Sequence, residues 1–350
     1  MGAAVGGYNS TVLRIVCSIV PAGVLWILGS VLSAQAPIGP AAPPPFEEWL
    51  AAVREEALAR GIRAEVVDQA FKGVAPIPQI LDRDRAQAEF TLDLDAYLKR
   101  RLTRPTVQMA QQMYSRHRSL LSRVSDRYGV DPRILVSVWG LESNFGRFAG
   151  VRPTIPTLAT LAYDPRRSAM FRNELFSALE IVNNGDIELE RLRGSWAGAL
   201  GQPQFMPSSY LKYAQDFDGD GRRDIWGSLP DIFASVAYYL QSHGWTAGYT
   251  WGREVRVPPA LSKALPDIPR REEGCRAVRQ LTPPRPLAEW RRMGLQTVTG
   301  GPMPTVEIDA SLLQAGSRTY LVYRNYESLL GYNCAHTYAL SVAQLAGQIQ

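Results

Sequence analysis

Apolar residues recur at three-and-four spacing along most of the chain, and that period predicts a largely helical protein. Phe46 to Phe71, Ile80 to Leu102 and Thr106 to Tyr128 each carry it, with Arg104-Pro105 read as a break between the second and third stretches. Asp131-Pro132 has the order of an N-cap followed by a proline in the first turn. A helix is therefore expected from about Pro132 to Ser143, stopping near Gly146. On it Ile134, Val138, Leu141 and Phe145 make one stripe, with Glu142 at the stripe's edge. Two more helices are expected over Ala169 to Asn183 and Asp231 to His243. From Trp251 the texture changes to short β-type runs, Glu254 to Val257, Gln296 to Val298 and Thr319 to Tyr323, broken by Gly and Pro before a final helix from about Tyr338. The pattern is that of an α+β chain, mainly α, with a helical region over 46–250 and a small mixed β/α region over 251–350.

The N-terminus reads differently. Ile15 to Leu32 holds no charged residue, Arg14 precedes it, and Ser33-Ala34-Gln35-Ala36 supplies small residues for cleavage. Residues 1–36 thus read as an export signal, either removed or retained as an N-terminal anchor, and the Pro-rich stretch 37–45 as a linker. Cys17 follows Val16 rather than a small residue, which argues against lipid attachment there. Export places the rest of the chain in the periplasm.

Composition adds little and excludes something. A hydrophobic fraction of 46% with 20% charged residues is ordinary for a globular protein, and 350 residues suffice for a sizeable core. The net charge of +5 is spread without a Lys/Arg run, so no nucleic-acid face is indicated. Without the leader the cysteines reduce to Cys275 and Cys334, an even pair in an oxidising compartment, which predicts a disulfide closing a loop of about sixty residues. Neither has a second Cys or a His at zinc-ligand spacing that would favour a metal, although His336 is near Cys334.

The candidate chemistry lies in two segments. Gly194 to Tyr210 packs glycine and alanine steps among Trp196, Gln204, Phe205 and Tyr210, a mixture of close backbone approach, flat apolar faces and amides that suits a sugar. Upstream, Glu142 stands alone among Val138, Trp139, Leu141 and Phe145, where lost hydration raises a carboxyl pKa toward neutrality and makes it a proton donor. Taken alone, Glu142 reads more readily as a helix-terminal carboxylate that caps or pairs with a basic residue. The two segments together point to glycoside chemistry. Most glycosidases need a second carboxylate, and none is evident. Asp164 is a candidate, but Arg166 and Arg167 beside it suggest a loop that holds an anionic ligand, or simply a basic helix start. Asp216, Asp218, Asp220, Gly221 and Arg222 have the spacing that opens an EF-hand calcium loop. The twelfth position is Gly227, so Asp231 is the nearest later acid, and an acidic surface turn is the competing reading.

Glu142-Ser143-Asn144-Phe145-Gly146, the Gly194 to Tyr210 segment, the Asp216 loop followed by Trp226, and Val236 to Leu240 through Trp245 resemble, in order and spacing, the membrane-bound lytic murein transglycosylase B family (glycoside hydrolase family 103). Leu321 to Tyr326 and Gly331 to Leu340 resemble it too. The resemblance implies a lysozyme-like helical catalytic core with an extra helical subdomain and a small β subdomain. It implies cleavage of the β-1,4 bond of peptidoglycan with formation of 1,6-anhydro-N-acetylmuramic acid, by a monomer acting on glycan strands, alone or with other cell-wall enzymes. It further implies Glu142 as the single acid and base, and Ser195 and Gln204 as polar sugar contacts. Phe205, Met206, Tyr239, Tyr332, Asn333 and Tyr338 would line the groove, and Arg166 and Arg167 would meet a substrate carboxylate. No cofactor is implied for the chemistry. A structural calcium would take Asp216, Asp218, Asp220, the Arg222 carbonyl and Asp231. A water-using muramidase on the same framework and a wall-binding protein without turnover are the alternatives.

Overall fold

The computed structural model describes residues 44–88 and 93–350, so the leader and most of the linker lie outside the described residues. The expected helices are present, and three of them are divided. Phe46–Ala59 and Ala64–Phe71 are separate because Gly61 takes a φ of 83°, a left-handed value that ends the first helix. Pro78–Ala88 and Leu94–Arg101 replace one long helix. Arg104–Arg116 and Arg118–Tyr128 meet at His117, whose φ of −106° breaks the run. Arg104-Pro105 is the first turn of a helix and not a gap, because Thr103 caps it by accepting from the Thr106 N–H and proline is tolerated where no intrahelical donor is needed.

The Pro132–Ser143 helix runs through the centre. Asp131 caps it through the Arg133 N–H, and every residue from Ile134 to Leu141 is buried, as is Ser143. The single stripe expected from the sequence is therefore a whole circumference, as it must be for a helix surrounded by others. Around it pack His336–Gly347, Arg104–Arg116, Arg118–Tyr128 and Leu229–Ser242. Thr154–Tyr163 and Ser168–Asn183 pair beside them, the first of these having no predicted counterpart.

The β-type runs form one antiparallel sheet in the order Arg285–Pro286, Asp309–Ala315, Arg318–Val322, Gly252–Arg256, Gln296–Thr297. Its second strand was not expected from the sequence. Side chains alternate across it: Leu312 and Leu321 point into a small core with Val255, Trp290 and Leu295, while Leu313, Tyr320 and Val322 join the main helical core. The sheet is thus fastened to the helical body by its own pleat, and Pro43–Gln350 forms one compact unit.

The cysteine pairing predicted from sequence is present: Cys275 and Cys334 are bonded, with Cα atoms 6.3 Å apart across a separation of 59 residues. It ties the segment before the Arg285 strand to the turn between the Arg324–Tyr332 and His336–Gly347 helices.

Candidate active site

Glu142 occupies the last turn of the central helix, and the chain leaves that turn under strain. Asn144, Phe145 and Gly146 take φ values of 50°, 57° and 81°, three successive left-handed residues of which Phe145 carries a side chain that disfavours the region. Ser143 holds the turn, donating from Oγ to the Trp139 carbonyl at 2.8 Å and accepting from the Gly146 N–H at 3.0 Å. Phe145 folds back over Gly140, where an added Cβ would lie 2.5 Å from its ring. Only glycine fits there.

The segment that looked like a binding wall closes against this turn. Trp139 donates from its indole N–H to the Gln202 side chain at 2.6 Å, and the Gln202 amide donates on to the Trp226 carbonyl at 2.7 Å. Gln204 sits at a φ of 56°, its amide bonded to the Gly201 carbonyl at 2.7 Å. Ser195 accepts from the Ala197 and Ala199 N–H groups at 3.2 and 3.1 Å, so its hydroxyl shapes the loop. Phe205 starts an aromatic row: its centroid is 5.4 Å from Tyr239, which is 4.8 Å from Tyr332, which stacks at 6.2 Å on Tyr338. Tyr332 and Tyr239 are anchored by their hydroxyls to the Pro203 and Gly331 carbonyls at 2.6 and 2.7 Å. Met206 is half-buried before the Pro207–Tyr213 helix, and Asn333 is exposed at the end of the Arg324–Tyr332 helix.

Glu142 keeps partial access to solvent, yet burial pushes its carboxyl up to about 7. The Tyr338 hydroxyl and the Arg101 guanidinium oppose that rise and do not cancel it. The position at the negative end of a helix acts in the same direction as burial. Tyr338 and Tyr332 are in turn raised well above the ordinary phenol value, first by burial and then by the Glu142 charge, so both stay neutral; the Tyr332 hydroxyl is committed to the Pro203 carbonyl. A carboxyl balanced near neutrality against a largely buried aromatic row can give up a proton and take one back.

Asp164 is not free to serve as a second acid. It is buried and chelated by Arg166, which holds its carboxyl below the usual range through a side-chain hydrogen bond. Arg166 lies 2.7 Å from Asp164 and 3.1 Å from Asp84, and Arg167 lies 3.0 Å from Asp84. Both arginines remain about half exposed, at 48% and 47%. Asp84, unremarked in the sequence, is the partner that gathers them. Nothing in the local sequence signals it, since it comes from a helix some eighty residues earlier. Arg83, its neighbour, lies over the Trp196 ring at 5.8 Å and connects this cluster to the wall.

In the acidic loop the structure brings together Asp216, Asp218 and Asp231, with one oxygen of each within 4.8 Å of the others. Asp231 reaches the loop from the first turn of its helix, accepting from the Phe217 and Asp224 N–H groups at 2.8 and 2.9 Å. Burial raises its pKa, and the Asp218 charge adds to the rise. Asp220 stands outside this trio; its carboxylate accepts from the Arg222 N–H at 2.8 Å. Arg222 is exposed.

The family profile described as the Transglycosylase SLT domain matches residues 45–347. The chain belongs to that family. Among proteins resembling this SLT-domain chain is the membrane-bound lytic murein transglycosylase B of Escherichia coli, 31% identical over 255 residues, or 71% of the chain. The matched part spans 65% of that relative's length. Among solved structures, SltB3 from Pseudomonas aeruginosa in complex with NAG-anhNAM-pentapeptide is 43% identical with a TM-score of 0.78, over 86% of this chain and 78% of that one. The lytic transglycosylase SLT35 of Escherichia coli in complex with calcium is 26% identical with a TM-score of 0.70, over 88% and 93%. The lysozyme-like, mainly helical fold expected from the resemblance is the fold observed.

Proposed function

We propose that the chain is a peptidoglycan lytic transglycosylase that cleaves the β-1,4 bond between N-acetylmuramic acid and N-acetylglucosamine. The observation that carries the reading is the single carboxyl of Glu142, raised to about 7 beside an aromatic row with no free second acid among the described residues facing it. Such a site needs a reaction in which one group acts twice. Protonated Glu142 gives its proton to the glycosidic oxygen as the bond from C1 breaks. The substrate's own acetamido oxygen supports the electron-poor C1, as in other glycosidases that dispense with a protein nucleophile. Ionised Glu142 then removes the proton of the C6 hydroxyl of the same sugar, and O6 closes on C1. The 1,6-anhydro ring forms, Glu142 is protonated again, and no water is consumed.

Tyr332, partly exposed, would offer a face for a sugar ring, backed by the buried Phe205, Tyr239 and Tyr338, with Met206, Asn333, Ser195 and Gln204 as further groove contacts. Arg166 and Arg167, half exposed though paired, would meet a lactyl or stem-peptide carboxylate; the SltB3 complex holds a glycopeptide of this class. The trio of Asp216, Asp218 and Asp231 is a donor set for a hard cation, with one oxygen of each within 4.8 Å of the others, and a calcium ion there would neutralise their mutual repulsion. Calcium would supply stability and no step of the reaction. The substrate and the N-terminal leader pattern agree with a periplasmic enzyme working on glycan strands.

The test is mass spectrometry of products released from purified sacculi by the full chain. Glycan ends one water lighter than reducing ends are expected. Reducing ends alone would identify a muramidase, and absence of cleavage with retained binding would identify a wall-binding protein.

A further inference from the structure

Arg101 is the last residue of the Leu94–Arg101 helix, which packs against the helix carrying Tyr338. Its Nη2 donates to the Leu141 carbonyl at 2.5 Å. That carbonyl is one of the last four of the central helix and has no intrahelical donor, because the left-handed turn at Asn144 and Phe145 carries the chain away. A cation seated on the carbonyl end also offsets the helix dipole beside Glu142. The guanidinium is only partly spent by this bond: among the described residues its buried Nε has no hydrogen-bond partner and no carboxylate forms an ion pair with it. The groups that face Glu142 are therefore Tyr338 and Tyr332, both neutral, and Arg101. Behind the tyrosines stand Tyr97 and Tyr239, and His117 lies against Trp139 at 6.1 Å between centroids. Arg101 is the only permanently charged group in this set.

We propose that Arg101 is the positioning residue of the acid–base carboxyl: it fixes the last turn of the catalytic helix through Leu141 and supplies the positive charge against which Glu142 ionises between the two proton transfers. The inference rests on Glu142 as acid and base. Burial alone would favour a carboxyl that holds its proton, so a cation bound to the neighbouring residue's backbone is what makes the ionised state accessible without an ion pair that would suppress the acid. Nothing in the sequence signals it, since Arg101 lies among Lys99 and Arg100 in what reads as a solvated basic helix end.

The experiment measures kcat and kcat/KM against pH on purified sacculi for the full chain, Arg101→Met and Arg101→Lys, with thermal melts of each. The active free enzyme has Glu142 protonated, so kcat/KM should fall as pH rises through about 7 in the wild type. Removing the cation raises the Glu142 pKa further. Arg101→Met should displace the alkaline limb upward by half a unit or more and lower kcat about tenfold, whereas Arg101→Lys should keep the limb in place with a smaller loss. A loss of stability without movement of the limb in Arg101→Met overturns the proposal. If Arg101→Met does not fold, Arg101→Lys decides: a limb that moves although the charge is retained is equally fatal. A wild type with no turnover, or with full activity in Glu142→Gln, would instead refute the reading of Glu142 itself.

Discussion

Replacing Glu142 by Gln should cut turnover by orders of magnitude and make the protein more stable, and the second effect has a calculable pH dependence. An unfolded glutamate titrates near 4.5 and the folded Glu142 near 7, so between these values the folded chain holds a proton that the unfolded chain has released. Stability from this group is complete below about pH 4.5 and is lost as pH rises toward and through 7. The loss tends to 2.303RT times the pKa difference, about 3 kcal/mol at pH 8, and is about 1 kcal/mol at pH 5. Glutamine keeps the shape without the charge and escapes the loss. For a folded unit of roughly 300 residues, 3 kcal/mol corresponds to about 5 °C in melting temperature. Any hydrogen bond that the amide leaves unmade reduces the gain. Calorimetry of both proteins at pH 5 and pH 8 is the assay, with sacculus cleavage measured alongside and expected to fall by a factor on the order of 10² to 10⁴. A variant that melts no higher than the wild type at pH 8, or by the same margin at both pH values, would show that Glu142 is not a desolvated carboxyl, and retained activity would remove its catalytic role.

Three further outcomes are expected. Cys275 and Cys334 should resist thiol labelling in denatured, unreduced protein from an oxidising compartment; reduction should cost about 4 kcal/mol by the loop-entropy argument and loosen the Asn333 turn before it disturbs Glu142. Calcium should raise the melting temperature of the wild type, and Asp218→Asn, which keeps a partner for the Ser228 hydroxyl but loses a charge, should weaken that response; identical melting curves with calcium and with chelator would leave the loop an acidic turn. Arg166→Ala strips Asp164 of its bidentate partner and leaves Asp84 to Arg167 alone, so it should cost about 1–3 kcal/mol as well as raise KM for substrates bearing a free carboxylate. An unchanged KM with the stability loss would mark the arginine cluster as purely architectural.

What the sequence determined by itself is local in character. The helical period, the Asp131-Pro132 start of the central helix, the early end of that helix at Asn144-Phe145-Gly146 and the pairing of the two remaining cysteines follow from caps, propensities and compartment, which act within a few residues or by simple counting. The lone Glu142 in apolar company was legible for the same reason. Where helices break depended on single residues such as Gly61 and His117 inside otherwise continuous apolar patterns, and those the periodicity could not resolve. Only the tertiary structure decided how the site is charged. Asp84 meets Arg166 and Arg167, and Arg101 meets the Leu141 carbonyl, across contacts set by packing between elements that are distant along the chain. A carboxyl's pKa is set by what surrounds it, so the same Glu142 that the sequence made a candidate became an acid near neutrality only when three helices and a loop closed around it.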